Sequence, residues 1–476
     1  MEVEYVFEED TNEASKIHFH FSREFCTQFG ILFVANLLIF ISGTHIGWIG
    51  PTILKLSSNS SEIPLTSSEI SWLTAMLPLG GGIGPIFGAV LANGVGRKNA
   101  ILLTTIPEIA SWIVIANAKN IYNLCIAQFI KGLIGGFAMA AVPMYLGEVS
   151  SPQFRGINGM LFQLHYTFGA IFEVVLVPFV SIAVNAWIAS IIPFLLLIIF
   201  IWMPESPYYF LIKNQTENAR KSLQILRQTD HVDQELEHLK QVVGEEQNEV
   251  QKFSEIFRVR NNRISFFLCF GIISTQLLTG MNVIFLYSQV ILDKSSSPIE
   301  PHICGIIISV VGFICVISSF LTIDSLGRRP LLLFGTFGTM IPCFLIGLYF
   351  HLDSINYEHI SSIKFVPFLA LIVHHITVVP GITTVPYLYL SEMLSTSIKG
   401  FASLIICCYA SIGHSIFSKF YVNLCDFIGM HNVFYLLVFG CFISGIGTYF
   451  FVPETKGKSL DEIQKYLKSY NLKQHC

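Results

Sequence analysis

Runs of about 20 mostly apolar residues recur along the whole chain, separated by shorter polar segments. A helix of this length crosses the apolar core of a bilayer. Twelve such runs are present, at 28–49, 70–91, 99–117, 122–146, 157–180, 183–203, 263–291, 302–324, 330–350, 364–391, 401–424 and 431–452. The alternating segments of about ten residues that build a transmembrane β-barrel are absent from the sequence. The pattern therefore predicts an all-α membrane protein with twelve transmembrane helices.

The polar segment 204–262 divides these runs into two groups of six. We therefore expect an N-terminal six-helix half at 26–203 and a C-terminal half at 263–452, with short amphipathic helices in the cytoplasmic linker between them. The cytoplasmic tails are 1–25 and 453–476. Membrane proteins built from two related helical repeats are typically transporters, and their binding sites lie between the repeats near mid-membrane.

Composition and charge agree with this interpretation. Of the 476 residues, 53% are hydrophobic and 13% are charged, whereas a soluble protein carries about 25% charged residues. If the N-terminus is cytoplasmic, all but six of the 28 Lys and Arg residues fall in cytoplasmic segments. This bias predicts that both termini are cytoplasmic. The first 25 residues lack a basic region, so we expect no cleavable signal peptide and a multi-pass protein of the plasma membrane.

Matching charged motifs lie at the predicted inner ends of the helices, once in each half. Each half has a Gly-Arg pair after its second helix, a Glu at the end of its fourth, a basic residue seven positions later, and a Pro-Glu pair at its close. The charged residues are Arg97, Glu148, Arg155 and Glu205 in the first half, and Arg328, Arg329, Glu392, Lys399 and Glu454 in the second. Our hypothesis is a cytoplasmic gate, in which these residues pair across helix ends while the cavity faces outward and separate when it opens inward.

Six motifs, in matching order and spacing, carry a family resemblance. They are Gly96-Arg97-Lys98, Pro143 to Glu148 with Arg155-Gly156, Pro204-Glu205-Ser206-Pro207, Gln276 with Gly280-Met281-Asn282, Gly327-Arg328-Arg329, and Pro453 through Leu460. With them the chain resembles the sugar porter family of the major facilitator superfamily, and most of all its insect trehalose and glucose transporters. The resemblance covers 28–465 and implies the major facilitator fold, with a sugar carried by alternating access between two helical halves.

Three amides in the predicted helices are candidates for binding that sugar. Amides suit sugar hydroxyls because they both donate and accept hydrogen bonds, and these are Gln163, Gln276 and Asn282. On one continuous helix Gln276 and Asn282 point about 120° apart, so both can border one cavity. From the residues alone, packing between helices explains them equally well. The resemblance matches all three to sugar-contacting positions.

Aromatic rings suit the apolar faces of a sugar, and the candidates are Trp48, Tyr287 and Tyr387, the last at the family's usual Trp position. Trp48 also fits an interfacial belt residue. Two departures from the family remove cavity contacts: Leu277 replaces a second Gln, and Ala410-Ser411 replaces an Asn-Trp pair. A site with fewer fixed hydrogen bonds discriminates hydroxyl stereochemistry less well. The identity of the sugar, hexose or trehalose, therefore stays open.

Charged residues also lie deep inside predicted helices. Lys131 and Glu173 are about equally far from the turn that joins their helices, so we expect them to pair, with Glu108 as an alternative partner. Family symporters carry a carboxylate in the first helix where this chain has Ile49. The resemblance therefore favours facilitative transport over proton symport. Span histidines such as His45 are expected to be hydrogen-bonded packing residues.

The sequence lacks the motifs that are typical of other function classes. A Gly-x-x-x-x-Gly-Lys-Ser/Thr run is absent, which argues against nucleotide-driven transport. The eleven cysteines show neither metal-ligand nor disulfide spacing. We therefore expect a non-enzyme without cofactor, metal, nucleotide or nucleic acid. Its expected partners are a small sugar and the lipid bilayer, and an obligate oligomer is not implied.

Asn59 begins an Asn-Ser-Ser glycan acceptor predicted to face outward. The alternatives are a proton-coupled symporter and a non-transporting sugar sensor, the latter disfavoured by the short linker and tail.

Overall fold

The computed structural model describes residues 23–58, 63–151, 154–248 and 253–469. The first half is a bundle of long apolar helices joined by short turns. They are α1 (Arg23–Leu56), α2 (Ser67–Val95), α3 (Arg97–Ala116), α4 (Ile121–Val149), α5 (Arg155–Leu176) and α6 (Ile182–Phe200). Each is long and apolar enough to cross a membrane.

The linker consists of four short helices, and the second half repeats the six-span plan. The linker helices are α7 (Pro207–Ile212), α8 (Thr216–Arg227), α9 (Asp233–Asn248) and α10 (Glu255–Arg258). The second half comprises α11 (Arg260–Leu278), α12 (Met281–Lys294), α13 (Pro301–Leu326), α14 (Arg328–Ser354), α15 (Val366–Val378), α16 (Val385–Met393), α17 (Thr396–Ile428) and α18 (Met430–Phe451), and α19 (Leu460–Ser469) follows. Twelve candidate spans result, which confirms the predicted fold class.

Within the part of the chain that the structure describes, two of the twelve candidate spans are interrupted, both in the second half. The seventh breaks between α11 and α12 at Gly280, whose φ of +67° lies in the left-handed region that favours glycine. The tenth contains a π-helical segment, Val379–Thr383, between α15 and α16. This segment contains Pro380 and Gly381, and proline removes a backbone donor from the regular helical ladder. The break at Gly280 differs from the sequence expectation, which treated 263–291 as one helix.

Small residues allow the helices of the first half to approach closely. A Cβ on Gly132 of α4 would lie 2.1 Å from the carbonyl oxygen of Leu77, and a Cβ on Gly80 of α2 would lie 2.2 Å from that of Phe129. Neither distance is physically possible, so α2 and α4 pack backbone against backbone at this crossing.

The apolar clusters show which end of the molecule is closed. We call the end that carries α7–α10 and α19 the linker end, and the opposite end the far end. One cluster at the far end combines residues of both halves, among them Trp48 and Tyr287. At the linker end each half has its own cluster, around Tyr145 in the first and Tyr389 in the second. The two halves therefore close together at the far end and stay separate at the linker end.

Candidate functional site

Gln276 connects the two interrupted spans. It lies in the last turn of α11, is 1% exposed, and its Nε2 donates to the carbonyl oxygen of Ile382 at 2.9 Å. That carbonyl belongs to the π-helical segment, where the regular hydrogen-bond ladder is disturbed. Its Oε1 has no partner among the described residues. Gln276 is thus held by its donor, and its acceptor remains free.

Tyr387 of α16 lies beside Gln276 and is 52% exposed. Tyr166 of α5, in the first half, lies within electrostatic range of the Tyr387 hydroxyl. Gln163 is three residues before Tyr166 on the same helix, so the two side chains share one face. Gln163 is half-buried, and no hydrogen bond holds its side chain within the described chain. This face of α5 therefore lies opposite Gln276 and Tyr387, across the boundary between the halves.

Asn282 lies in the first turn of α12, directly after the break. Its side chain is half-buried and makes no hydrogen bond to any described residue. The adjacent Met281 contacts Thr383 of the π-helical segment, with 3.3 Å between Sδ and Oγ1. The two breaks are thus neighbours, and Asn282 lies where they meet. The angle of about 120° expected between Gln276 and Asn282 assumed a continuous helix, so it does not apply across the break at Gly280.

The other two aromatic candidates lie in the closed far end. Trp48 is 0% exposed and belongs to the apolar cluster that combines residues of both halves. Tyr287 is also buried, and its hydroxyl lies 2.8 Å from Thr74 Oγ1 in α2 and 3.4 Å from the Ser418 carbonyl in α17. In this conformation both residues help close the far end, and neither faces open space. Tyr166 was missed by sequence reasoning, although its three-residue spacing from Gln163 was a usable signal.

The charged motif of the first half forms a compact cluster at the linker end. Arg97 donates to both oxygens of Glu148, from Nε to Oε2 and from Nη2 to Oε1, each at 2.9 Å. Glu205 accepts the backbone N–H groups of Arg97 and Lys98 at 3.0 Å. Gly96 has a φ of +101°, and a Cβ there would lie 2.3 Å from Glu205 Oε2. Glycine is required at this turn for both reasons.

The second half repeats this cluster with one addition. Arg328 lies 3.1 Å from Glu392, and Glu454 accepts the backbone N–H groups of Arg328 and Arg329 at 3.0 Å. Arg328 also contacts Asp324 at 3.0 Å. The first half has Asn93 in the corresponding place, so this additional carboxylate is absent there. Instead, Arg97 donates to both oxygens of Glu148, whereas Nε and Nη2 of Arg328 both lie 3.1 Å from the single oxygen Oε1 of Glu392.

This arrangement differs from the gate hypothesis. Arg97–Glu148 and Arg328–Glu392 each lie within one half, and no ion pair joins the halves among the described residues. Both pairs are formed although the linker end is the end where the halves are separate. Lys399 donates to the Ser391 carbonyl at 3.0 Å, within its own half. Two predicted residues fall outside the described side chains, Arg155 and Asn59.

The buried charges pair differently from the expectation. Lys131 makes no ion pair in the described chain, and its Nζ lies over the Trp112 ring. Glu108 instead contacts His45 at 2.8 Å, and Glu173 accepts a hydrogen bond from Asn185 at 2.7 Å. The predicted Lys131–Glu173 ion pair is therefore wrong. His45 has a carboxylate partner that its sequence position did not indicate.

The sequence profile of the Sugar (and other) transporter family matches residues 31–467. The chain belongs to this family. Relatives include facilitated trehalose transporters Tret1 of Polypedilum vanderplanki, 29% identical over 89% of this chain and 85% of the relative, and of Bombyx mori, 29% identical over 90% and 84%. The Tret1 of Drosophila pseudoobscura pseudoobscura is 28% identical over 91% of this chain, which spans half of that longer protein.

Solved structures show the same fold. The inward open conformation of the xylose transporter XylE from E. coli matches with a TM-score of 0.73 at 21% identity, over 92% of this chain and 99% of XylE. The POT family transporter PepTSo matches with a TM-score of 0.62 at 11% identity, over 93% and 99%. The family membership confirms the resemblance seen in the sequence motifs. This sugar transporter family member is a multi-pass membrane protein and not an enzyme.

Proposed function

We propose that this chain is a facilitative sugar transporter of the plasma membrane that moves a hexose or trehalose by alternating access. The observation that carries the proposal is the meeting of two interrupted helices at Gln276 and Asn282, opposite Gln163 across the boundary between the halves. Membrane transporters bind their solutes where broken helices meet between repeats. The relatives that bear the name facilitated trehalose transporter support the choice of sugar.

Each residue of the site has its own role in binding the sugar. The free Oε1 of Gln276 accepts a hydrogen bond from a sugar hydroxyl, and the amides of Gln163 and Asn282 both donate and accept. Since Nε2 of Gln276 is already bound to Ile382, its orientation is fixed before the sugar arrives, which lowers the entropic cost of binding. The exposed ring of Tyr387 covers an apolar face of the sugar.

Each half moves as a rigid body in this mechanism. The charged clusters around Arg97 and Arg328 hold each half together at the linker end, which we place in the cytoplasm with both termini. The far end, which is outside, opens when the contacts that Tyr287 makes to the first half are lost. Trp48 and Tyr287 become accessible to the sugar only then. The Asn-Ser-Ser acceptor that begins at Asn59 belongs to the segment that we assign to this outer side, and we propose that it is glycosylated.

Uptake by the purified protein in liposomes tests the proposal. We expect uptake of labelled trehalose or glucose down its gradient, and about a tenfold loss of efficiency for Gln276→Leu, because one well-oriented hydrogen bond disappears. Gln289→Leu is the matched control, since Gln289 is a buried amide of the same span away from the break. It should transport like the wild type.

Three results would contradict the proposal. Sugar binding without uptake identifies a sensor. Uptake that requires an imposed pH gradient identifies a proton-coupled symporter. Equal losses of transport efficiency in Gln276→Leu and Gln289→Leu would contradict the assignment of the sugar site to the helix breaks.

A further inference from the structure

A small cavity at the linker end of the second half is bordered by two basic residues that take no part in the proposed sugar site. The cavity lies between the first turn of α14, the end of α18 and α19, and it has a volume of about 110 Å³. This is room for several water molecules, and so for a phosphate group. The two basic residues are Arg329 of α14 and Lys458, which lies between α18 and α19.

Arg329 is held by a carbonyl group and an aromatic ring. Its Nη2 donates to the carbonyl oxygen of Tyr449 at 2.5 Å, and its guanidinium carbon lies 5.7 Å from the centre of the Tyr449 ring. A guanidinium group carries five N–H donors, and Nε of Arg329 has no partner among the described residues. The side chain is therefore fixed in position while part of its hydrogen-bonding capacity is unused.

Lys458 is held in the same way. Its Nζ donates to the carbonyl oxygen of Glu454 at 2.9 Å and lies 5.3 Å from the centre of the Tyr466 ring of α19. In the described part of the second half, the ion pairs are formed by His302 and Arg328 alone. Both basic residues of the cavity therefore lack a carboxylate in direct contact.

Two carboxylates near the cavity are bound to backbone groups. Glu454 forms part of the wall, and its two oxygens accept four backbone N–H groups at 2.9–3.0 Å. Glu462 of α19 lies within electrostatic range of Lys458, and its Oε2 accepts the backbone N–H of Ser459 at 2.8 Å. The acceptors of this region are thus already occupied, whereas its cationic donors are available to an added anion.

The two halves differ at this position. In the first half Lys98 takes the place of Arg329, and its Nζ donates to the carbonyl oxygen of Ile201 at 2.7 Å. The chain after α6 contains no basic residue before Lys213, whereas the chain after α18 soon reaches Lys458. The combination of two cations at this position therefore belongs to the second half.

Exposed aromatic rings flank the cavity on the side of the span. Tyr449 and Phe450 lie in the last turn of α18 and are 56% and 41% exposed. Aromatic rings of this kind are enriched where a span reaches the boundary between the apolar layer and water. Basic residues at that depth attract anionic lipid headgroups. The aromatic surroundings therefore favour a lipid over a water-soluble anion.

We propose that Arg329 and Lys458 bind the phosphate group of an anionic phospholipid at the linker end of the second half. Both cations donate charge-assisted hydrogen bonds to the phosphate oxygens, and the acyl chains lie against the exposed aromatic end of α18. Since α14, α18 and α19 meet at the cavity, the bound headgroup stabilises this end of the second half. The choice of lipid rests on the proposed cytoplasmic position of the linker end, because anionic lipids are concentrated in that leaflet.

Lipid titration of the purified protein in an uncharged detergent tests this proposal. We expect phosphatidylserine to raise the melting temperature in a saturable manner, and phosphatidylcholine, whose headgroup has no net charge, to raise it less. Lys458→Gln should weaken the apparent affinity for phosphatidylserine about fivefold, and Arg329→Gln by a similar factor. The Lys458 side chain is exposed, so this variant should fold even if Arg329→Gln does not. The measurement needs neither sugar nor a membrane orientation, so it remains informative if the proposed function fails.

Lys213→Gln is the matched control. Lys213 is an exposed lysine of the linker end whose Nζ also lies over a tyrosine ring, 5.7 Å from the centre of that of Tyr209, but it does not border the cavity. This variant should keep the wild-type affinity for phosphatidylserine.

Three results would overturn the proposal. Equal melting curves in phosphatidylserine and phosphatidylcholine would exclude a site for anionic lipid. An equal loss of affinity in Lys213→Gln and Lys458→Gln would mean that surface charge in general, and not this cavity, attracts the lipid. If inorganic phosphate or glycerol 3-phosphate gives the same rise in melting temperature, and Lys458→Gln abolishes it, the ligand is a soluble phosphate compound.

Discussion

The two ends of the molecule are held together by opposite chemistry. At the linker end, charged side chains pair within each half, as Arg97 does with Glu148 and Arg328 with Glu392. At the far end, an apolar cluster and hydrogen bonds join the two halves, as between Tyr287 and Thr74 and from Lys419 to Ser71, and no ion pair joins them among the described residues.

This difference separates what stays rigid from what must move. A partly buried ion pair is strongly destabilising to break, because it leaves a charge without compensation. A neutral hydrogen bond exchanged for water costs only about 1 kcal/mol. Strong contacts within the halves and weak contacts between them are therefore what rocking of two rigid bodies requires.

The largest expected effect comes from the first-half ion pair. Arg97→Met leaves Glu148 largely buried without its partner, and we expect a loss of about 3 kcal/mol in the free energy of unfolding. Chemical denaturation of the detergent-solubilised protein measures it. Arg328→Met is the counterpart in the second half, where the pair is more exposed, with side-chain exposures of 13% and 23% against 4% and 14%.

We expect the loss for Arg328→Met to be about half as large. An equal or larger loss in the second half would mean that burial does not set the strength of these clusters. The comparison also tests whether Asp324, which only the second cluster possesses, adds to its stability.

Substitution of Glu454 should change the free energy of unfolding by a smaller amount, and this change should depend on pH. Burial acts to raise the pKa of this carboxyl, but bonds from the backbone N–H groups of Lys456, Arg328, Arg329 and Thr455 outweigh it, so its pKa is lowered from the ordinary 4.5. A lowered pKa contributes stability that is complete above about pH 4.5 and is lost as the pH falls through the lowered value.

Glu454→Gln should therefore cost about 1–2 kcal/mol at neutral pH, and its difference from the wild type should shrink below about pH 4.5. Thermal melting at a series of pH values measures this difference. Glu358→Gln, at an exposed carboxylate of the far end, should leave stability unchanged at every pH. A Glu454→Gln difference that stays constant into acid would contradict the assignment.

The sequence predicts the parts of this structure that depend on local pattern. Twelve apolar runs give twelve spans in the described chain, and the matching charged motifs give matching clusters at the linker end. The break at Gly280 was not predicted, because a glycine in a membrane helix serves close packing as readily as a left-handed turn. The pairing of His45 with Glu108 was equally hidden, since it depends on how α1 and α3 rotate against each other. Only the assembled bundle fixes that rotation.

The smallest expected effect concerns the far end. Tyr287→Phe removes the hydrogen bond to Thr74 and should shift the equilibrium about fivefold toward opening of the far end, the equivalent of about 1 kcal/mol. Hydrogen–deuterium exchange in the far-end parts of α2 and α17 should then accelerate, while exchange around Arg97 at the linker end should not. Tyr421→Phe is the matched control, because its ring packs 4.9 Å from that of Tyr287 without a hydrogen bond to the first half. Since the two variants remove the same atom from neighbouring rings, faster exchange in both would mean that packing, and not the bond between the halves, holds the far end closed.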